Sequence, residues 1–272
     1  MTRTARPRAA LAAATLLLAA TAARAETIVL ASTTSVQDSG LLAHILPGFT
    51  AKTGIEVHVL AQGTGQAIAT ATRGDADLLL VHDPDAEAAF MAQGHGASRT
   101  EIAWNDFILV GPAADPAQVT GQTDAAAAMG AIAGAHAPFV SRGDNSGTNA
   151  EEKRLWQAAG ITPEGAWYRD IGGGMGAALN AAAAMGAYTI SDRGTWLSFG
   201  NKRDLTIVLA GDRRLINRYD VILLDPQKHP EAKQAPAHRL ALWLAAPDGQ
   251  AAIAAYTKGG QKLFHPEADP KP

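Results

Sequence analysis

Short apolar runs alternate along the first part of the chain with segments of helical composition. Four runs have the length and composition of β-strands, and they cover residues 27–31, 55–60, 78–81 and 107–110. Residues 41–52 and 66–73 lie between these runs and predict helices that end at Gly54 and Gly74. The run at 78–81 is apolar without alternation, as expected for a strand that is covered on both faces. This order of strands and helices predicts a parallel sheet with helices on both sides.

A second set of elements follows Gly111 and Pro112, where the composition changes. Its predicted strands are residues 139–140, 167–168, 188–190, 205–210 and 221–224. Its predicted helices are residues 150–159, 175–185, 238–245 and 250–258. Residues 265–272 are predicted to form a loose tail.

We therefore predict an α/β protein with two lobes, each built on a doubly wound sheet. Lobe I comprises residues 26–110 and 216–272, lobe II comprises residues 111–215, and two crossover segments join them. A hinge between two such lobes suits a protein that closes around a ligand.

The N-terminus predicts an export signal at residues 1–25. Three arginines precede an Ala- and Leu-rich run at 9–23, and Ala23-Arg24-Ala25 has the pattern of a cleavage site. The apolar run is shorter than the about 20 residues that a membrane-spanning helix requires. We therefore expect a mature protein that starts at Glu26 and works in the periplasm.

The composition excludes several classes of function. The sequence contains no cysteine, which rules out a disulfide framework, a thiolate metal site, a thiol nucleophile and a lipid-modified cysteine. The formal net charge is −3, so the chain lacks the basic excess that is typical of nucleic-acid binding. An anion that binds to this protein must therefore be held by local groups.

Turns rich in Ser, Thr and Gly follow several predicted strands and precede helices. They comprise Ser-Thr-Thr-Ser at 32–35 and Gly-Thr-Gly at 63–65 in lobe I, and Ser-Gly-Thr at 146–148 and Gly-Gly-Gly at 172–174 in lobe II. Asp38 is placed to close a capping box on Ser35, and Glu151 stands three residues after Thr148.

A helix N-terminus presents unpaired backbone N–H groups and about half a positive charge. Several such ends that converge on one point can hold a tetrahedral dianion without a metal. Each Ser or Thr is equally explained as an ordinary N-cap, but the occurrence of these turns in both lobes favours an anion site. Arg142, beside the second-lobe turn, adds a fixed positive charge with planar donors. The alternative for Arg142 is a surface residue paired with Asp144, whereas the Gly-rich setting beside a helix N-terminus favours a contact with the ligand.

Several segments together resemble the tungstate-binding proteins of ABC importers. The motifs are Thr33-Thr34-Ser35, Asp38 to Leu42, Gly63 to Ala67, Arg73 to Asp77, Asn105-Asp106-Phe107, Ser141 to Thr148, Gly174-Met175-Gly176 and Ser191 to Thr195. They keep the family's order over nearly the whole predicted mature chain. Two positions depart from the family pattern, since Asn145 stands where Asp is frequent and Asn149 where His is frequent.

The resemblance implies a two-lobed periplasmic binding protein fold of type II, with an oxyanion in the cleft between the lobes. It implies that the anion is held by Thr33, Thr34, Ser35, Thr64, Gly65, Arg142, Ser146, Gly147 and Thr148. It further implies that a monomer delivers tungstate, or molybdate, to a permease with its ATPase, without a cofactor and without catalysis.

Three alternatives stay open at the level of sequence. A phosphate- or sulfate-binding protein of the same fold would share these turns, and Asp144 or Asp38 could accept the proton of monohydrogen phosphate. A periplasmic serine hydrolase would use Ser146 or Ser39 with a histidine such as His44, His58 or His95, but no nucleophile elbow is recognisable. The segment His82-Asp83-Pro84-Asp85 superficially suggests a metal site, whereas a strand end followed by a turn and a helix cap explains it better.

Overall fold

The computed structural model describes residues 26–271, so the predicted export signal at residues 1–25 lies outside the described part of the chain. The strands are β1 (Glu26–Thr33), β2 (Ile55–Gln62), β3 (Leu78–Val81), β4 (Gly96–Pro112), β5 (Phe139–Ser141), β6 (Tyr168–Asp170), β7 (Thr189–Asp192), β8 (Leu205–Leu209), β9 (Ile216–Leu224), β10 (Thr257–Lys258), β11 (Gln261–Lys262) and β12 (His265–Pro266). The helices are α1 (Thr34–Ser39), α2 (Leu41–Thr53), α3 (Thr64–Thr72), α4 (Pro84–Ala92), α5 (Ala125–Gly134), α6 (Gly147–Ala158), α7 (Met175–Met185), α8 (Arg193–Ser198), α9 (Gln234–Ala245) and α10 (Pro247–Ala255). Within residues 26–271, no helix combines the length and the apolar character that a membrane span requires.

The first three strands form the predicted parallel arrangement. β1 lies between β2 and β3 and pairs with both in parallel, with α2 and α3 as crossovers. β3 then pairs antiparallel with β9, and β9 pairs antiparallel with β4. The strand order is β12-β4-β9-β3-β1-β2. The predicted α/β class is therefore confirmed.

The long strand β4 connects the two halves of the molecule. Its first part pairs with β9, and its last residues, from Phe107 onwards, pair with β7 and β8. These strands therefore form one eight-stranded sheet, with β5 and β6 as a separate parallel pair. The two sheets expected from the sequence are joined through β4 because its ladder continues from one set of partners to the other.

The buried apolar side chains are divided along the chain in a similar way. Two clusters draw on residues 28–103 and 219–264, and two others draw on residues 107–215. The change from one set to the other falls inside β4, between Ala103 and Phe107. This division supports two lobes, and the lobe boundaries near 111 and 215 stay a prediction.

The predicted loose tail is wrong for the residues that begin it. His265 and Pro266 pair with β4, and the His265 ring stacks on Trp104 with 4.1 Å between ring centroids. A chain end that packs on a buried aromatic residue gains order from that contact. The last predicted helix also ends earlier than expected, at Ala255, because a hairpin of β10 and β11 follows it.

Candidate functional site

Three parallel strands bring their carboxyl ends to one edge of the sheet. Thr33 lies opposite Gln62 in the ladder, and Ser32 lies opposite Leu80. The turns that follow β1, β2 and β3 therefore start side by side. Helix α1 begins after Thr33, helix α3 begins after Gly63, and His82 directly follows β3. Open α/β sheets place their ligands at such an edge.

The first turn is capped differently from the prediction. The N-cap of α1 is Thr33, whose hydroxyl accepts from the Val36 N–H, so the capping box of Ser35 and Asp38 is wrong. Thr33 occupies the extended conformation that an N-cap needs, with φ −96° and ψ 153°. Ser35 therefore does not cap the helix. Its hydroxyl oxygen lies 3.0 Å from Thr33 Oγ1 and 3.0 Å from His82 Nε2.

In the second half of the chain, β5 and β6 place two further turns together. Ser141 lies opposite Asp170, and the Gly173 N–H donates to the Arg142 carbonyl at 2.9 Å. Gly143 is required here because its φ is +60° and a Cβ atom would overlap the Asp170 carboxylate. The loops before α6 and α7 are thus held side by side.

Helix α6 begins at Gly147, after Ser146. The Ser146 hydroxyl accepts from the Asn149 N–H at 3.3 Å, so Ser146 and not Thr148 is the N-cap. Glu151, which stands three residues after Thr148, pairs with Arg154 at 3.0 Å instead of capping the helix. Thr148 is buried, and its hydroxyl oxygen accepts from Arg142 Nη1 at 3.4 Å.

Arg142 is held in place by Asp144. Its Nε and Nη2 atoms donate to Asp144 Oδ2 at 3.1 and 2.5 Å, and its side chain is only 12% exposed. Burial acts to raise the pKa of Asp144, but hydrogen bonds from Ser146 and Arg142 and the Arg142 charge outweigh it and hold the pKa below its usual value. The predicted alternative, a pair with Asp144, is therefore present, but it fixes a largely buried guanidinium and not a surface one.

A cavity of about 360 Å³ lies where these turns meet. The predicted site residues that line it are Thr34, Ser35 and Arg142. The other lining residues are Asp38, Ser39, Gly174, Met175, Gly176, Asp192, Gly194, Thr195, Ser198 and Lys258. Helix α7 opens onto this cavity after Gly174, and no side chain caps its first N–H groups. The cavity thus combines hydroxyls, a guanidinium, an ammonium and an uncapped helix N-terminus, which together suit an oxyanion.

The remaining predicted residues lie around the cavity and not among its lining residues. Thr33, Ser146 and Thr148 make the contacts described above. Thr64 is buried at the first position of α3 and Gly65 is exposed beside it, at the same sheet edge as Thr33. No contact joins Thr64 or Gly65 to Arg142 among the hydrogen bonds of residues 26–271.

Gly147 allows the start of α6 to approach His82, the residue after β3, closely. A Cβ atom at this position would lie 2.7 Å from His82 Cε1, so only glycine lets the start of α6 reach the His82 ring. His82 was not predicted as a site residue, because the sequence around it reads as the end of a strand. That prediction is itself confirmed: β3 ends at Val81, Asp83 caps α4 and Pro84 opens it. Among the residues that the structure describes, no group of three or more potential ligands is placed to hold a metal ion.

Comparisons with known proteins support the predicted periplasmic binding protein fold. Residues 19–245 match the family described as the PBP superfamily domain. The chain is 46% identical over 246 residues to a putative ABC transporter anion-binding protein of Haloferax volcanii, covering 89% of this chain and 72% of that protein. It is 45% identical over 245 residues to the tungstate-binding protein TupA of Peptoclostridium acidaminophilum, covering 89% and 86% of the two chains. Among solved structures, it is similar to the tungstate binding protein TupA from Desulfovibrio alaskensis G20, with a TM-score of 0.82, 43% identity and coverage of 90% of this chain and 100% of that one.

Proposed function

This chain belongs to the PBP superfamily, and on that premise we propose that it captures tungstate in the cavity beside Arg142 and delivers it to an ABC importer. The observation that carries the proposal is the convergence of Ser35, Arg142 and the uncapped start of α7 on one cavity of about 360 Å³. Tungstate is a tetrahedral dianion whose oxygens only accept hydrogen bonds, so a site of donors suits it. The relatives named as tungstate-binding proteins support this choice of anion over others.

The nine predicted site residues divide into groups with different proposed roles. Thr34, Ser35 and Arg142 line the cavity and would contact the oxyanion directly. Thr33, Ser146, Gly147 and Thr148 would hold those groups in place through the cap of α1, the start of α6 and the bond to Arg142. Thr64 and Gly65, at the same sheet edge, would supply further donors when the cleft closes.

The setting of this activity is also part of the proposal. We infer that the protein is exported to the periplasm by residues 1–25, acts there as a monomer, and docks on a permease that is driven by an ATPase. Support comes from relatives whose names place them in ABC transporters, including the tungstate ABC transporter structure from Geobacter sulfurreducens. The binding function requires no cofactor and no catalytic step.

Phosphate is the second candidate, and a specific observation favours it. The carboxylates of Asp38 and Asp192 line the cavity, and either can accept the proton that monohydrogen phosphate carries. A fully ionised oxyanion has no such proton and would meet these carboxylates with repulsion unless Lys258 and Arg142 offset it. Molybdate has the charge and shape of tungstate, so it would use the same donors.

In the structure, Ser35 and not Ser146 lies beside a histidine, so a hydrolase would use Ser35. Ser146 is engaged as a helix cap, whereas Ser35 lies beside His82, whose other ring nitrogen meets the Asn217 amide oxygen at 3.1 Å. A neutral amide would stabilise an imidazolium less than the carboxylate of a hydrolytic triad does. We therefore propose capture and not turnover, and ester or phosphoester hydrolysis that disappears in Ser35→Ala would contradict this.

Calorimetric titration of the mature protein with tungstate, molybdate, sulfate and phosphate tests the proposal. We expect submicromolar binding of tungstate and much weaker binding of sulfate and phosphate. If phosphate binds more tightly than tungstate, the protein is a phosphate-binding protein and the tungstate proposal is wrong.

Arg142→Ala tests the site within the same titration. It should weaken tungstate binding by about two orders of magnitude or more, the scale of a lost buried charge-assisted contact, about 3 kcal/mol. Arg73→Ala is the matched control, because Arg73 forms an ion pair of the same spacing with Asp75 on an exposed surface. Equal affinity of Arg142→Ala and the control would mean that the anion binds elsewhere.

A further inference from the structure

His82 is buried at the junction of several elements around the anion site. Its Nε2 atom lies 3.1 Å from Thr33 Oγ1 and 3.0 Å from Ser35 Oγ, and its Nδ1 atom lies 3.1 Å from Asn217 Oδ1. On a third side its ring meets the backbone of Gly147 at the start of α6. His82 therefore contacts the turn of residues 33–35 that joins β1 to α1 (the β1 turn), strand β9 and α6 at once, although it does not line the cavity beside Arg142.

The hydrogen-bond network behind the ring fixes which ring nitrogen carries the proton. The Asn217 amide N–H groups donate to Asn105 Oδ1 at 2.8 Å and to Tyr219 Oη at 2.7 Å. The Asn217 oxygen is thereby turned towards His82 as an acceptor, so His82 Nδ1 must donate. A neutral imidazole has only one N–H, which leaves Nε2 as an acceptor.

The surroundings keep the ring neutral. Burial lowers the pKa of His82 and the nearby Arg142 charge acts in the same direction, while the charges of Asp192 and Asp83 and the bond to Asn217 act against them. These are the charged groups that face the ring from β7, α4 and the loop before α6.

An acceptor at Nε2 determines what the two hydroxyls can do. Thr33 Oγ1 already accepts the Val36 N–H as the cap of α1, so its own proton is available for Nε2. Ser35 Oγ lies equally close to Nε2, at 3.0 Å, and Nε2 offers one lone pair, so it accepts from only one hydroxyl at a time. When Thr33 is that donor, the proton of Ser35 is released from the ring. Ser35 lines the cavity, so this proton can be directed to an anion.

We propose that His82 is a positioning residue of the anion site: its Nε2 atom takes the Thr33 proton and thereby directs the Ser35 hydroxyl into the cavity. Its ring also sets the distance between the β1 turn and the start of α6, because Gly147 packs on it. This inference rests on the proposed function, since the hydroxyl it orients is assigned to the oxyanion.

Two substitutions at His82 separate positioning from packing. His82→Asn retains a donor for Asn217 but is too short to accept from Thr33, whereas His82→Gln places an amide oxygen near the position of Nε2. In tungstate titrations we expect a Kd about tenfold higher for His82→Asn and within about threefold of wild type for His82→Gln, the loss corresponding to one hydrogen bond. His95→Asn is the control, since His95 bonds to His229 and does not line this cavity.

A double-mutant cycle with Ser35→Ala gives a readout that a purely structural role would not produce. If His82 acts through Ser35, His82→Asn should change the Kd little in the Ser35→Ala background. Equal losses in both backgrounds would overturn the proposal. Wild-type protein that does not bind tungstate would overturn the proposed function and this role together, whereas wild-type binding with an unchanged Kd in His82→Asn would overturn the role of His82 alone.

Thr33 provides an independent test if His82→Asn does not fold. Thr33→Val removes the proton that Nε2 accepts, so the Ser35 proton should turn to His82 and tungstate binding should weaken about fivefold. The same substitution removes the oxygen that caps α1, and a Ser35→Ala background separates the two effects, because the route through His82 predicts little change in Kd there. Thr33→Ser keeps the hydroxyl and should bind as wild type. Equal affinity of the Val and Ser variants would contradict the proposed route through His82.

Discussion

Glu87 is a carboxyl group that the fold buries completely, with 0% of its surface exposed. Its Oε1 atom accepts the Asp83 N–H at 2.8 Å, and Arg99 lies between Glu87 and Asp220. Burial, and then the hydrogen bond and charge of Asp220, raise the pKa of Glu87 to about 9, against the opposing charge of Arg99. The folded protein therefore holds a proton here that the unfolded chain releases above its ordinary pKa of 4.5.

This difference predicts a pH-dependent stability. Between about pH 5 and 9 the folded state binds more protons than the unfolded state, so the free energy of unfolding should fall as the pH rises, by at most about 1.4 kcal/mol per pH unit for this group. Glu87→Gln mimics the protonated form and should flatten that part of the profile in urea denaturation at pH 5 to 8. Glu56→Gln, on an exposed position of β2, serves as the control. A slope that is the same in Glu87→Gln and wild type would mean that Glu87 is ionised in the folded protein.

Single residues differ in how far the sequence predicts them. Ser35 and Arg142 stand in turns whose composition indicates anion chemistry, and both line the cavity. His82 carries no such signal, because a histidine between an apolar strand and Asp83-Pro84 is fully explained by the strand end and the helix cap. Its role depends on Asn217 in β9, which is 135 positions away in the sequence. Long-range contacts of this kind leave no periodic pattern in a single sequence.

At the scale of elements, local signals predicted some boundaries and missed others. Strand β3 and helix α7 have the predicted bounds, because β3 is an uninterrupted apolar run and α7 is an Ala-rich segment between Gly174 and Gly186. Strand β4 was predicted only at 107–110, since residues 96–106 are largely polar and owe their strand to pairing with the distant β9. Helix α5 was missed because its alanines are apolar on every face and give no amphipathic period.

Helix α6 joins the Arg142 side of the proposed anion site to α4 in the other half of the molecule. Its first turn contains Thr148, and six residues later Arg154 donates to Asp85 at 3.1 Å and to Asp83 at 3.4 Å, at the start of α4. The Arg154 side chain is about a third exposed, so solvent weakens these ion pairs to the range of about 0.2–1 kcal/mol. We expect Arg154→Gln to raise the Kd for tungstate about two- to fivefold, because α6 is then held less firmly against α4.

Arg214 offers a control of equal charge for this prediction. It also pairs with two aspartates, Asp212 and Asp124, but all three lie within residues 111–215 and do not bridge to α4. Arg214→Gln should therefore leave the Kd unchanged in the same calorimetric titration. If both variants weaken binding equally, the loss reflects the removed positive charge and not the contact between the helices.

At the scale of the whole molecule, the proposed anion site depends on both halves of the chain. Ser35 belongs to the turn after β1, whereas Arg142 and the start of α7 belong to residues 111–215. The two halves have separate apolar clusters but share β4, which runs through both. A dianion held from both sides would therefore add a further connection to the two chain crossings and to the ion pairs between α6 and α4.

This connection predicts that tungstate stabilises the entire protein against heat. A ligand at about one hundred times its Kd adds about 2.7 kcal/mol to the free energy of unfolding, which for a chain of this size raises Tm by about 5–10 °C. Scanning calorimetry should show one transition that moves upwards as a unit, because donors from both halves must release the anion when either half unfolds. Sulfate at the same ionic strength controls for general salt effects, and Arg142→Ala should lose most of the shift. The opposite outcome would be two transitions, only one of which tungstate shifts. That result would place the anion within a single lobe and contradict a site formed between the two lobes.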